Sequence, residues 1–406
     1  MGHPERAELL RDKHIDYVLS ISNSTDSFEY YASEHFRMSG MYWGAGALSL
    51  LGALGRLDRS KVIAWVLSCY DASVGAFRPA PRHDAHLLST LSALQLLALY
   101  DGLGELGEER RAALVAGIAA MQLPDGSFAG DRWGEVDTRF SYVALNSLWL
   151  LDALDAVDVP KAAAWVRSCE SFDGGYGVCP GAESHAGQAF VAVAALAIAH
   201  GWEQRKGRGF GEAETERREQ RGEAEGKARA GRGVDAPGEG AAERGGAGTA
   251  DEGSTGDRGA ESSGVRAPST RYSPLPAAEF LPPASRDTLS WWLAERQTLS
   301  GGLNGRPEKL QDVCYSWWCL TSLATLARLH WIDRDALEAY ILECQDEVGG
   351  GISDRPEDAV DVYHTYFGIA ALALMRRRDL PEIDPVLALP VEVVRRIRKS
   401  RGEEES

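Results

Sequence analysis

The chain has 406 residues, 44% of them apolar and 25% charged, and carries a formal net charge of -17. That length allows a large core, and the balance is that of a soluble globular protein. So acidic a chain is a poor match for nucleic acid, whose phosphates need a basic surface, and its longest apolar run, around Ala189 to Ala199, is too short to span a bilayer.

The N-terminal MGHPERAELL lacks the apolar stretch of a signal peptide, and Arg6 stands where an N-myristoylation motif needs Ser or Thr. Six cysteines, at 69, 169, 179, 314, 319 and 344, form no CxxC pair, which favours a reducing, cytoplasmic compartment. Aligning successive segments exposes a period of roughly fifty residues. A first, weaker copy pairs DYVLSI, from Asp16, with FRMSGMYWGAGALSLLGAL. Five clearer frames start at Ala64, Ala116, Ala164, Trp291 and Ala339. Each opens on an apolar helix end (AWVLSC, AGIAAMQ, AWVRSC, WWLAERQ, AYILECQ) and passes through a glycine turn (SVGAF, PDGSF, FDGGYG, LSGGL, VGGGI). After a polar stretch each closes on a long apolar helix, such as HLLSTLSALQLLAL or YHTYFGIAALAL. The second helix of each pair is nearly all apolar, while charges such as EERR and DRDALE gather between units, so the second helices are expected inside and the first outside. Six such pairs predict an all-α fold, an α/α toroid of six inner and six outer helices, with an open superhelical stack as the alternative.

The spacing is 52 residues from Ala64 to Ala116 and 48 on to Ala164, but 127 from Ala164 to Trp291. About 79 residues are therefore inserted there. The stretch 203–286, rich in Gly, Glu, Arg, Ala and Ser, has too few aliphatic residues to fold and is expected to be a disordered loop. The predicted organisation is thus a first part of the toroid over 1–202, the insertion over 203–286, a second part bearing the metal over 287–390, and a tail over 391–406. The tail is expected to make a short amphipathic turn and then fray.

Residues at one offset in different frames should lie at one end of the ring. Counting from the frame starts, Asp312 falls at +21, Cys314 at +23, His364 at +25, His185 at +21 and Arg139 at +23. These are the predicted N-termini of the inner helices, so the polar groups converge on one mouth, where helix dipoles favour an anion. Cys69, Cys169 and Cys344 all fall at +5, the end of an outer helix, where a small buried hydrophobe is wanted; these, with Cys319, read as core. Cys179 lies near the mouth without an assigned role, and His86 either serves the site with His83 or caps its helix. Asp312 and Cys314 are suitable ligands for zinc, and one repeat later His364 supplies a third. Three protein ligands leave a position open, as in catalytic sites.

Arg306 and Lys309, just before Asp312, join His185 and Tyr315 as a cationic and donor set, against the plainer reading of a solvated charge run. Trp43, Trp133, Phe140, Tyr142, Trp317, Trp318, Tyr366 and Phe367 are expected to line an apolar funnel beneath. A metal that can depress a thiol pKa, an anion site and a greasy funnel together suit alkylation of a protein cysteine by a long prenyl diphosphate.

The stretches RMSGMYWG (37–44), HDAHLLSTLSALQLLALYD (83–101), DGSFAGDRWGEVDTRFSYVAL (125–145), FDGGYG with GAESHAGQ (172–188), GGLNGRPEKLQDVCYSWW (301–318) and DRPEDAVDVYHTYFGIAAL (354–372) resemble a protein prenyltransferase β subunit. Within that family the chain looks like the Rab geranylgeranyltransferase, or type II, branch. The resemblance implies one zinc per β subunit on Asp312, Cys314 and His364. It implies geranylgeranyl diphosphate held at His185, Ala186 and Gly187, at Arg306, Pro307, Glu308 and Lys309, and at Tyr315, Ser316, Trp317 and Trp318. Ser39 matches a small residue that leaves the pocket open for a twenty-carbon chain. An α subunit made of helical repeats, a Rab escort protein, and Rab GTPases as acceptors are implied as partners. Asp354 is a candidate magnesium contact. The second frame departs from the family, with Gly75-Ala76 for a glycine pair, and the long insertion is atypical. A farnesyl or type I geranylgeranyl β subunit acting on CaaX proteins and a non-catalytic prenyl-binding scaffold are the alternatives; a terpene cyclase would need an aspartate-rich DxDD motif, which the sequence lacks.

Overall fold

Aspartate and histidine caps, glycine turns and apolar second helices recur in register, and in the computed structural model they build one closed ring. The structure describes residues 8–23, 28–207 and 280–403. Six helix pairs follow one another. They are α1 (Arg11–Asn23) with α3 (Arg37–Leu50), the short α2 (Phe28–Ala32) lying between them, α4 (Arg59–Ser68) with α5 (Leu87–Leu99), and α6 (Gly107–Ala119) with α7 (Thr138–Leu150). Then come α8 (Val159–Ser168) with α9 (Ala186–Arg205), α10 (Pro283–Ala294) with α11 (Val313–Thr325), and α12 (Arg334–Glu343) with α13 (Val362–Leu374). A last helix, α14 (Val391–Ser400), ends the described chain.

The second member of each pair is buried on nearly every side: in α5 every residue but Leu88, in α7 every residue but Arg139. By contrast α6 buries only Leu114 and Ile118, one turn apart on a single face. That difference sorts the helices into rings. The inner helices α3, α5, α7, α9, α11 and α13 pack each on the next, and α13 returns to α3. The expected toroid is what forms, and the open stack is excluded by that last contact.

What joins one repeat to the next is a close backbone approach. The turn after each outer helix is a tiny hairpin, seen as β1 (Tyr70–Asp71) against β2 (Ala76–Phe77) and as single bridges such as Gln122 to Phe128 and Gln297 to Leu303. Gly126, at φ +95°, sits so near the following outer helix that a Cβ would lie 2.3 Å from the Lys161 carbonyl oxygen. Only glycine fits a site that asks for both the left-handed backbone and that approach. Beside it, Gln122 both donates to and accepts from the backbone of Asp158, the cap of α8, and Gln297 does the same with Asp333, the cap of α12. At the seam Gln345 accepts from the Leu10 N-H and meets His14 Nε2, both at 2.9 Å. The His14 Nδ1 accepts from the Gly351 N-H, so the last repeat is stapled to the first helix. At the other end of the ring, the outer-helix residues Arg11, Arg59, Arg111 and Arg334 each donate to carbonyls at the C-terminal end of the inner helix of their own pair. These bonds satisfy acceptors that a helix end leaves orphaned.

Two boundaries differ from expectation. The insertion predicted over 203–286 lies outside the described residues for 208–279; at its edges α9 continues through Arg205 and α10 begins at Pro283. The described parts of Met1–Lys206 and Ser273–Ser406 form one unit; the other unit, Gly207–Tyr272, lies outside the described residues apart from Gly207. In its described part, 391–403, the tail forms a ten-residue helix in place of the expected short turn. Its Val391, Val393, Val394 and Ile397 are buried as one face of α14, while Arg396 and Arg401 donate to the carbonyls of Ala98 and Trp149 at the ends of α5 and α7. No helix among the described residues is long and apolar enough to cross a membrane.

Candidate active site

Helix capping is what gathers the polar residues. Five inner helices begin on a residue whose side chain accepts from the backbone two or three positions on: His86 from Leu88, Asp137 from Arg139, His185 from Gly187, Asp312 from Cys314 and Asp361 from His364. Because the helices are parallel members of one ring, these caps share one rim, the mouth anticipated from the repeat phase. For His86 the capping role is the one the structure displays, with Nδ1 accepting at 3.0 Å.

Asp312, Cys314 and His364 meet at the junction of α11 and α13, with one ligand atom of each within 4.8 Å of the others. The His364 Nε2 lies 3.3 Å from Asp312 Oδ1. Thiolate, imidazole and carboxylate donors on a tetrahedral zinc would be roughly 3–4 Å apart, so this carboxylate–sulfur–imidazole set suits zinc by chemistry and by spacing. On the far side of the ring, His364 Nδ1 meets Asp361 Oδ2 at 2.6 Å, so Asp361 orients the imidazole as well as capping α13. Burial works against charge on His364, but hydrogen bonds with Asp312, Asp361 and Cys314 outweigh it and push its pKa up to about 12. Burial likewise pushes the Cys314 thiol up to about 11. Both must lose a proton to bind a metal, so the donor set that favours a cation is also what holds protons in its place. Replacing Asp361 by Ala is expected to weaken metal affinity ~10- to 100-fold by freeing the imidazole. Competition against a chelator of known affinity measures it, and unchanged affinity would remove Asp361 from this role.

Beside the triad is a cavity of about 390 Å³ whose wall includes His185, Arg306, Lys309, Asp312, Tyr315 and Arg355. Its histidine is fixed in one form. With Nδ1 accepting from the Gly187 N-H, the proton sits on Nε2, 3.2 Å from the Tyr315 hydroxyl. Burial, reinforced by the Arg306 charge, lowers the His185 pKa, so it enters the cavity as a neutral donor. The loop before α11 is shaped to bring these groups in. A Cβ on Gly305 would stand 2.4 Å from the Tyr315 ring, the Gly305 carbonyl accepts from the buried Ala186 N-H, and the Asn304 side chain donates to the Lys309 carbonyl. Pro307 and Glu308 form the turn itself, Glu308 at φ +62°. Arg306 also pairs with Glu183 at 2.5 Å, across to the loop before α9.

Other residues singled out from the sequence are divided by burial. Trp318 and Trp43 stay partly open, Trp318 packing on Phe367 at 4.4 Å and on Phe190 at 5.0 Å, and Trp43 on Tyr363 at 4.9 Å. Ser316 and Trp317 are fully buried within the helix ring, as are Phe140 and Tyr366. Trp133 is not in the funnel: it stands in the loop before α7, 72% exposed, with Arg132 stacked on it. That correction follows from the polar stretch before each inner helix, which an aromatic residue alone does not identify as helical. Arg139 reaches Asp137 and Glu135 at its own helix start, outside the cavity around His185. Ser39 faces Ser92 across α3 and α5, their hydroxyls 3.1 Å apart. His83 pairs with Glu34, and the Asp354 carboxylate with Arg355 at 3.3 Å. Cys69, Cys169, Cys319 and Cys344 are buried as expected, and Cys179 is exposed.

Three participants escaped the sequence reading. Asp361 falls one residue from the capping offset of Asp312, at +22 of its frame against +21, and could have been found by it. Arg355 lies in the loop equivalent to that of Arg306. Tyr363, pressed beside Cys314 with its pKa raised by burial and then by that sulfur, carries no distinguishing pattern among the many aromatic residues.

Comparison with known proteins agrees with the fold. A family model described as the prenyltransferase alpha-alpha toroid domain matches residues 9–222 and 249–389. The chain is 42% identical to the geranylgeranyl transferase type-2 subunit beta of Saccharomyces cerevisiae over 96% of its own length and 97% of that protein. It is 41% identical to the Candida albicans protein of the same name, over 98% of each, and 41% identical to subunit beta 1 of Arabidopsis thaliana, over 97% of each. A solved structure, Candida albicans protein geranylgeranyltransferase-I complexed with GGPP, superposes with a TM-score of 0.65 at 18% identity, over 97% of this chain and 99% of that one, which speaks for the fold alone.

Proposed function

The chain belongs to the prenyltransferase α/α-toroid family, alongside the type-2 geranylgeranyl transferase β subunits, and from that membership we propose that it is the catalytic β subunit of a zinc-dependent protein geranylgeranyltransferase. The acceptors are C-terminal cysteines of Rab GTPases presented by an escort protein, an α subunit completes the enzyme, and the compartment is cytoplasmic. The observation that carries the chemistry is the meeting of Asp312, Cys314 and His364 beside a cavity walled by His185, Arg306, Lys309 and Tyr315.

Asp312, Cys314 and His364 would hold the zinc, which when bound takes up the acceptor thiol and lowers its pKa so that thiolate is available at neutral pH. The remaining work falls to the chain. Arg306 and Lys309, with the His185 Nε2–H and the Tyr315 hydroxyl, supply donors and positive charge for a diphosphate at the heads of α9 and α11. As the sulfur–carbon bond forms, the carbon–oxygen bond to diphosphate breaks, and those same donors take up the charge gathering on the departing oxygen. Trp318, Phe367 and Trp43 receive the hydrocarbon and exclude water from the reacting carbon. Magnesium has less support, since the carboxylate expected to hold it, Asp354, is engaged by Arg355.

Arg306→Ala and Lys309→Ala are each expected to weaken geranylgeranyl diphosphate binding ~10- to 100-fold, the loss of one charge-assisted contact. Equilibrium titration with the diphosphate measures this, and unaltered affinity would take either residue out of the anion site. The reading as a whole is tested by co-expression with a type-2 α subunit and transfer from fifteen- and twenty-carbon diphosphates to Rab with escort protein or to CaaX proteins. Preference for CaaX acceptors, or for the farnesyl donor, would overturn it.

A further inference from the structure

The ring is closed at its other end by its own C-terminal segment. Between α13 and α14 the chain makes a tight loop, in which the Asp384 N-H donates to the Leu389 carbonyl and the Asp384 carboxylate accepts from the Val386 and Leu387 N-H groups at 2.8 Å each. The tip of that loop is gripped by side chains from inside the ring. Tyr142 donates to the Val386 carbonyl at 2.9 Å, Gln95 to Leu387 at 3.0 Å and Tyr42 to Ala388 at 2.5 Å, with Asn146 and Tyr366 adding longer bonds to Leu387 and Ala388. Four of the six inner helices thus hold one three-residue tip by its backbone, and every one of these donors is buried. Groups this deeply desolvated are costly to leave unpaired, so the tip is held at a defined height.

That height can be read from the helices. Tyr142 and Tyr366 lie four residues after the first residues of α7 and α13, Tyr42 five after that of α3, and Gln95 and Asn146 eight after those of α5 and α7, so the backbone positions that hold the tip stand ~6–12 Å below the helix starts. A prenyl chain of twenty carbons is far longer than that drop, so from the cation cavity it must turn and run across the ring. The helix order sets the direction: α9, headed by His185, stands three places from α3 and so faces it. On that opposite wall Ser39 and Ser92 leave their hydroxyls 3.1 Å apart, one turn above Tyr42 and Gln95, which grip the loop tip.

We propose that the loop 384–390 is the floor on which the prenyl chain lies, and that its clasp by Tyr42, Gln95 and Tyr142 selects chain length together with Ser39. The inference rests on the prenyltransferase reading and locates a specificity element in a segment remote in sequence from the mouth. It explains why the tail is an ordered helix: α14 anchors the far end of the loop, with the Val391 N-H donating to the Glu382 carbonyl.

The test uses the complete heterodimer and prenyl diphosphates of fifteen, twenty and twenty-five carbons. In the double variant Gln95→Leu, Tyr142→Phe the side chains keep their approximate volume but release two loop carbonyls. The twenty-five-carbon diphosphate is expected to gain ~10-fold in affinity relative to the twenty-carbon one, the scale of one repositioned apolar contact. A second measurement needs no variant: a geranylgeranyl diphosphate with a photoreactive group at its distal end should label the peptide containing 384–390. Labelling confined to α3 and α5, or chain-length ratios that only Ser39→Trp changes, would overturn the floor while leaving the transferase reading intact. If no prenyl diphosphate bound the unmodified heterodimer, the functional reading would fail and this inference with it.

Discussion

Cys314→Ala is expected to abolish stoichiometric zinc and to slow thioether formation by on the order of 10³-fold or more, equivalent to about 4 kcal/mol of lost transition-state stabilisation. The argument is one of donor count. Asp312 and His364 alone are two hard or borderline ligands, and the soft sulfur between them is the donor that distinguishes this site from a carboxylate–imidazole ion pair. Removing it leaves His364 held by Asp312 and Asp361, which favours a proton on the ring. The helix itself should survive, because Asp312 still caps α11 through the backbone N-H of residue 314. Geranylgeranyl diphosphate affinity should therefore change by no more than about threefold, since the donors to the anion stand on other side chains. Metal analysis, single-turnover transfer and diphosphate titration on the same preparation separate these effects. A zinc-free variant that transfers at the normal rate would refute the proposed chemistry.

Gly350→Val is expected to cost at least ~3 kcal/mol of stability and to lower the melting temperature of the heterodimer by roughly 3–4 °C. Gly350 has φ +75°, and a Cβ there would lie 2.2 Å from the carbonyl oxygen and 2.4 Å from the carbonyl carbon of Lys13. Those are backbone atoms of α1, not the end of a flexible side chain, so relief requires the first outer helix to move away from the last repeat. A β-branched residue adds strain from the left-handed backbone. The displacement would also pull on Gln345 and His14, which staple the same seam. The neighbouring Gly349 provides the control: its φ is not positive and its nearest obstacle is a side-chain oxygen of Asp346 at 3.4 Å, so Gly349→Ala should shift stability by less than ~1 kcal/mol. Equal melting temperatures for the two variants would show that the ring does not depend on this approach.

The contrast between Asp312 and Tyr42 shows what was legible and why. Asp312 caps a helix at a fixed offset in a repeat, so its neighbours follow from the period: His364, about one repeat later, has to lie on the adjacent inner helix near the same rim. Local rules of capping and helical periodicity carry that inference without knowledge of any long-range contact. Tyr42 and Tyr142 offered no such handle. Their partners are carbonyls of Ala388 and Val386, 346 and 244 residues away, and any residue presents a carbonyl. Burial separated Trp318 from Trp317 in the same way, since adjacent positions on one apolar helix differ only by which neighbour they face.

By itself, then, the sequence determined the number of helix pairs, their inner and outer places, the mouth and the three candidate metal ligands, because each of these is written in residue type at regular spacing. Only the tertiary structure decided that the ring closes through α13 on α3, that Arg306 meets Glu183, that the tail folds as a helix, and that the loop 384–390 rises into the interior. Those outcomes depend on backbone groups and on the packing of segments far apart in the chain, and neither leaves a periodic mark on the residues that take part.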